Sequence, residues 1–86
     1  MTHEARDRNA RLAARGIRIL EAYHAETNPA EEFDETVLID LLVDLMHACA
    51  VDERCAPWTY SEEQAGKHAD AEYAEACDEE DEEAAE

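Results

Sequence analysis

The chain has 86 residues, enough for one small domain near the lower limit of folding without a disulfide or metal staple. It carries 24 acidic residues against 7 basic ones, and its formal charge of −17 repels nucleic acid and anionic lipid while attracting basic protein surfaces. Direct nucleic-acid binding is therefore excluded from the reading, and so is a membrane span, since no apolar run is long enough.

The first segment, "HEARDRNARLAARGIRILEAYHAET", has a helical period. Leu12, Gly16, Ile19, Leu20 and Tyr23 recur at three and four, and Ala5 and Ala13 extend that face. A helix is expected over about 3–27. Arg6, Arg8, Arg11, Arg15 and Arg18 crowd it, five of the seven basic residues, so the rest of the chain is more acidic than the total suggests. These arginines are expected to dock beside carboxylates of neighbouring helices.

"TNPAEE" ends the first helix, because Pro29 disfavours a helical Asn28. Asn28 can cap a new turn with Pro29 and Glu31, and Asp34 offers a second start. The second helix is expected over about 34–50. Its apolar residues form two adjoining stripes: Leu38, Leu41, Leu42, Leu45 and Cys49, then Ile39, Val43, Met46 and Ala50. They cover more than half the circumference, which predicts the central element of the fold, with an apolar excess that favours a homodimer. Asp40, Asp44 and His47 form the narrow strip that remains, within an arc of about 60°. Two readings of that strip stand: the solvent edge of a nearly buried helix, or a row that faces a partner.

"VDERCAPWTY" lacks a period and reads as a loop, with Trp58 and Tyr60 expected to fold back over the core. Ser61 and Gln64 have capping-box spacing, so a third helix is expected over about 61–77, with a thin face of Ala65, Ala69, Tyr73, Ala76 and Cys77. The end, "DEEDEEAAE" from Asp78 to Glu86, holds seven carboxylates and is expected to be a disordered, solvated tail. The fold class is all-α: a compact three-helix domain over 1–77 with an acidic tail over 78–86.

Catalytic signals are weak, and the chain is read as non-enzymatic. Cys49, Cys55 and Cys77 are odd in number and lack C-x-x-C spacing, and no N-terminal signal peptide is visible, which together predict a cytoplasmic protein with free thiols. Neither a cofactor nor a metal is assigned. A divalent-metal alternative would need Asp44 and His47 to meet His68 and Glu72 across two helices. "EEFDE", Glu31–Glu35, is similar to the E-E-x-x-E string of the all-helical nucleotide pyrophosphohydrolases, whose acids bind magnesium on nucleotide phosphates. The companion E-x-x-D occurs here only as Glu75–Asp78, which departs from that family's spacing.

"DLLVDLMHAC", Asp40–Cys49, with "HADAEY", His68–Tyr73, resembles short acidic helical proteins of bacterial plasmids, integrative elements and phages. That resemblance covers about half the chain, implies a mobile-element origin and carries no assigned activity. The chain is also similar in kind to acidic anti-CRISPR inhibitors, which implies binding to the basic groove of a complex that holds DNA or guide RNA. Independently, carboxylates on rigid helices can compete with phosphates for lysine and arginine. The expected partner-binding residues are Glu31, Glu32, Asp34, Glu35, Asp40 and Asp44, with Glu62, Glu63, Asp70 and Glu72 extending the face. A homodimerising adaptor, joined through the second helix, is the alternative class.

Overall fold

The computed structural model describes residues 3–85, with side chains through Asp81. The fold is all-α with three helices, α1 (Glu4–Thr27), α2 (Glu35–Val51) and α3 (Trp58–Ala85), each in contact with the other two. No strand occurs among the described residues. The domain measures 49 × 32 × 17 Å, and the 28 residues of α3 span about 42 Å.

Helices α1 and α3 run antiparallel along their lengths. Asn9 Nδ2 donates to the Glu72 carbonyl oxygen at 3.0 Å, and Leu12 and Ala13 share a groove with Ala69 and Tyr73. The inward face of α1 is Ala5, Asn9, Leu12, Gly16, Leu20 and Tyr23, at the expected spacing; Ile19 departs from it and is exposed.

Helix α2 begins at Asp34, the second of the two starts. The Asp34 Oδ1 accepts from the Thr36 backbone N–H at 2.9 Å and from the Thr36 hydroxyl at 2.6 Å, which satisfies one of the free amides of the first turn. Those two bonds, the hydroxyl's first, hold the Asp34 carboxyl below its usual range. Asn28 instead closes α1, its N–H bonded to the His24 carbonyl oxygen at 3.0 Å.

Three expectations are corrected. Helix α3 begins at Trp58, three residues before the Ser61 capping box: the Pro57 carbonyl accepts from the Ser61 N–H at 3.0 Å, and proline needs no amide partner where a helix starts. Tyr60, brought into that helix, is exposed and Trp58 half-buried, so the pair does not lid the core. The expected disordered tail is helical through Ala85, with Glu86 outside the described residues. Glutamate and alanine are good helix formers, and Glu79 is tied to α1.

The fourth correction concerns α2. Only Ala5 and Val37 are buried among the described residues. Helix α2 is not enclosed by its neighbours, because the first half of α1 packs on α3 while Tyr23, near the end of α1, reaches α2. Val37 faces inward, with Leu41 and Cys49 half-buried, while both expected stripes are largely exposed.

Candidate functional site

Carboxylates and apolar side chains divide the surface between them. The carboxylates are best followed from the α1–α2 linker outward. The Glu31 carbonyl can only accept, so at 2.7 Å from His24 Nε2 it takes the imidazole N–H, and the His24 ring meets Phe33 edge-on at 5.4 Å. A backbone bond from the Glu31 N–H to the Asn28 carbonyl closes the same turn at 3.1 Å. The linker is thus pinned at both sides of Glu31 and Glu32, and both side chains are exposed. Glu35 follows in the first turn of α2, where the helix dipole favours a carboxylate.

Asp40, Asp44 and His47 are all exposed, as a solvent edge would be, and Asp44 also reaches across to α1. The Tyr23 hydroxyl of α1 donates to Asp44 Oδ2 at 2.5 Å. That bond, with lesser desolvation and the nearby charges of Asp44 and Asp40, pushes the Tyr23 phenol up to about 12 from its ordinary 10.0. The strip therefore borders α1, and the greasy stripes of α2 face away. An interhelical hydroxyl–carboxylate bond is selective for this orientation because a hydrophobic contact tolerates rotation and a charge-assisted bond does not.

The sign of the titration follows. A phenol whose pKa is raised in the folded chain stabilises the fold fully below pH 10 and loses that contribution as pH rises through about 12. Tyrosinate absorbance should show a phase near pH 12 that is absent from Tyr23→Phe and moves down in Asp44→Asn. An unchanged titration in both variants would remove the bond from the account.

Of the ten carboxylates expected to bind a partner, four are engaged within the chain. Asp34 caps α2 and Asp44 holds Tyr23. Glu63 pairs with Lys67 at 3.3 Å one turn away. Glu72 Oε2 meets Arg8 Nε at 3.3 Å, and Glu75 Oε2 takes Arg8 Nη1 at 3.0 Å. Glu31, Glu32, Glu35, Asp40, Glu62 and Asp70 are exposed, the first four on the linker and α2 and the last two on α3.

Docking of the α1 arginines against neighbouring acids is realised at Arg8. The most consequential carboxylate was assigned to the tail: Glu79 Oε1 accepts the Ala5 N–H at 2.6 Å and Oε2 the Arg6 N–H at 2.9 Å. Helix α1 has no side-chain cap from His3, and Glu79 supplies one from α3. Desolvation alone would push the Glu79 carboxyl up, but the two amides, with His3 and Arg6 nearby, hold it below its ordinary value. A signal for this existed. Glu72, Glu75 and Glu79 are spaced by three and four, one helical face, once the helix is carried into the acidic run.

Near the C-terminal end of α2, Cys49 and Cys55 line a groove with Met46, Val51, Pro57 and Trp58. Desolvation first, then the adjacent Cys49 thiol and the charge of Asp52, pushes the Cys55 thiol up, which makes it a poor nucleophile at neutral pH. All three cysteines are free. Asp52 caps the end of α2 with its backbone and grips Arg54 through Oδ2 to Nη2 at 2.7 Å, a contact that lowers its carboxyl pKa. Among the described residues, no three or more histidines, cysteines and carboxylates gather as a metal site, so Asp44, His47, His68 and Glu72 do not form one. No helix among them is long and apolar enough to cross a membrane. Comparison with protein-family models, curated proteins and solved structures gives no match for this chain.

Proposed function

We propose that this chain is a non-enzymatic binding protein whose exposed carboxylates engage the basic surface of a nucleic-acid-binding protein in the bacterial cytoplasm, as a mimic of the phosphate backbone. One observation carries the reading: Glu31, Glu32, Glu35 and Asp40 stand exposed on a pinned linker and the helix it opens into. Arg8 is taken up by Glu72 and Glu75 on α3, and Lys67 by Glu63. Among the described residues, no ion pair engages Glu31, Glu32, Glu35 or Asp40. Pinning matters because a flexible acidic segment loses ordering entropy on binding, and a held one does not.

Such a surface would compete with DNA or guide RNA for the lysines and arginines of a basic groove, the mode of action of an acidic anti-CRISPR inhibitor. Its affinity would fall steeply with salt, since each neutralised charge pair is screened.

The test is affinity capture from nuclease-treated bacterial lysate, followed by a salt gradient and by competition with free DNA. A nucleic-acid-binding protein that elutes at intermediate salt and is displaced by DNA is the expected result. Replacing Glu31, Glu32 and Glu35 by Gln and Asp40 by Asn should weaken that complex by on the order of tenfold or more and flatten its salt dependence. Asp44 is left intact in this variant because it holds Tyr23. Equal retention of the partner by the substituted protein would sink the proposal.

A further inference from the structure

Helix α2 carries a surface that the acidic reading does not use. Leu38, Leu42, Leu45 and Cys49 follow one another at spacings of four, three and four, and Ile39, Val43, Met46 and Ala50 repeat the pattern one position on. These are two heptad-type seams side by side. Ile39 is 54% exposed, Val43 45% and Met46 45%, values that isolated surface residues reach but that six neighbouring large side chains on one helix face do not share without a partner. No charged residue interrupts either seam.

The area has a definite scale. The chain exposes 6780 Å², against about 5,100 Å² for a folded monomer of its mass, an excess of about 1,700 Å². The exposed apolar face of α2 contributes to that excess. One subunit of an obligate homodimer buries about 1,000–2,500 Å².

We infer that the occupant of this face is a second copy of the chain, packed with its α2 antiparallel and crossing near Val43. A two-fold axis presents the same patch to itself, so an unbroken apolar seam is self-complementary. Charge decides the direction. A parallel pair would gather the two acidic linker segments, each with Glu31, Glu32 and Glu35, at one end of the paired helices. The antiparallel pair separates those segments, and it also opposes the two helix dipoles. The dimer would carry the acidic linker segments of its two copies at opposite ends of the paired helices, which separates the largest like charges.

This inference is independent of the acidic reading, and salt separates them. Two copies of formal charge −17 repel at long range, so the dimer tightens as salt screens them, whereas a complex with a basic protein weakens. Sedimentation equilibrium of the full chain at micromolar concentration should give about twice the 9.7 kDa monomer mass, more completely at high salt. Val43→Glu should weaken the dimer by at least about a hundredfold while helicity by circular dichroism is kept, and Tyr60→Glu, the same charge placed on α3, should leave it intact. In chains whose native cysteines are replaced by alanine, Ile39→Cys should crosslink to Met46→Cys and not to itself. A monomer at both salt concentrations, or a dimer indifferent to Val43→Glu, overturns the inference. Self-crosslinking of Ile39→Cys overturns the antiparallel arrangement. None of these outcomes bears on capture of a basic partner.

Discussion

Replacing Val37 by alanine is expected to lower stability by about 2 kcal/mol, a shift of roughly 10 °C in the thermal midpoint of a domain this size. The reason is scarcity. Val37, at 6% exposed, is the one buried residue of α2, and Ala5 is the only other among the described residues. A core this thin has little surrounding structure with which to close a cavity, and the total stability of a small domain is only a few such increments. Val51→Ala is the matched control. Val51 closes the same helix at 84% exposed, so the same deletion of two methyl groups should leave the midpoint nearly unchanged. Both variants are to be compared at one protein concentration, because dimerisation makes the midpoint depend on it. Equal midpoints for Val37→Ala and Val51→Ala would mean that α2 is not anchored at its N-terminal end.

Glu79→Gln is expected to loosen the start of α1 although it lies 74 positions from Ala5, the amide it binds. The substitution keeps the shape of the side chain and removes its charge, and with it the attraction between a carboxylate and the positive end of a helix dipole. Amide hydrogen exchange at Ala5 and Arg6 should speed up by on the order of tenfold, with exchange in the middle of α2 little affected. The pH dependence has a definite sign. The Glu79 carboxyl titrates below its ordinary 4.5 in the folded chain, so its contribution is complete above pH 4.5 and is lost as pH falls through the lowered value. Global stability moves the opposite way over the same interval, since protonating 24 acidic groups relieves self-repulsion. A local readout is therefore required. Wild-type protein should lose protection at Ala5 and Arg6 in acid, and Glu79→Gln should lack that transition. Deleting Asp78–Glu86 should reproduce the faster exchange. Unchanged exchange after the deletion would show that the segment is a passive extension.

Much of the fold was legible because helices announce themselves locally. The α1 face of Leu12, Gly16, Leu20 and Tyr23 follows from period alone, and α2 was placed within a residue at each end by Asp34 and the break before Pro57. Helix α3 was misread at both ends for opposite reasons. At its start, a well-formed capping signal at Ser61 was overridden by Pro57, which begins a helix equally well. At its end, net charge argued for disorder, and a long-range bond that composition cannot display argued otherwise.

The candidate site was legible as a list of carboxylates and not as a surface. Whether a carboxylate is free or committed depends on which helix lies opposite it. Glu72 and Asp44 look as available in the sequence as Glu31 or Asp40, yet Arg8 and Tyr23 take them. Their partners lie 64 and 21 positions away along the chain, beyond the reach of any local pattern.

The sequence by itself determined that this protein is helical, that it is strongly acidic, and that α2 holds more apolar surface than its polar strip can balance. These are properties of period and composition, set by residues three and four apart. Only the tertiary structure decided which side of α2 faces outward. The antiparallel pairing of α1 with α3 took up the first half of the inward face of α1, and the Tyr23–Asp44 bond turned the polar strip of α2 toward α1. The apolar stripes were left outside because a hydrogen-bonding hydroxyl and carboxylate fix an orientation, whereas apolar burial, being non-directional, can be completed by another chain.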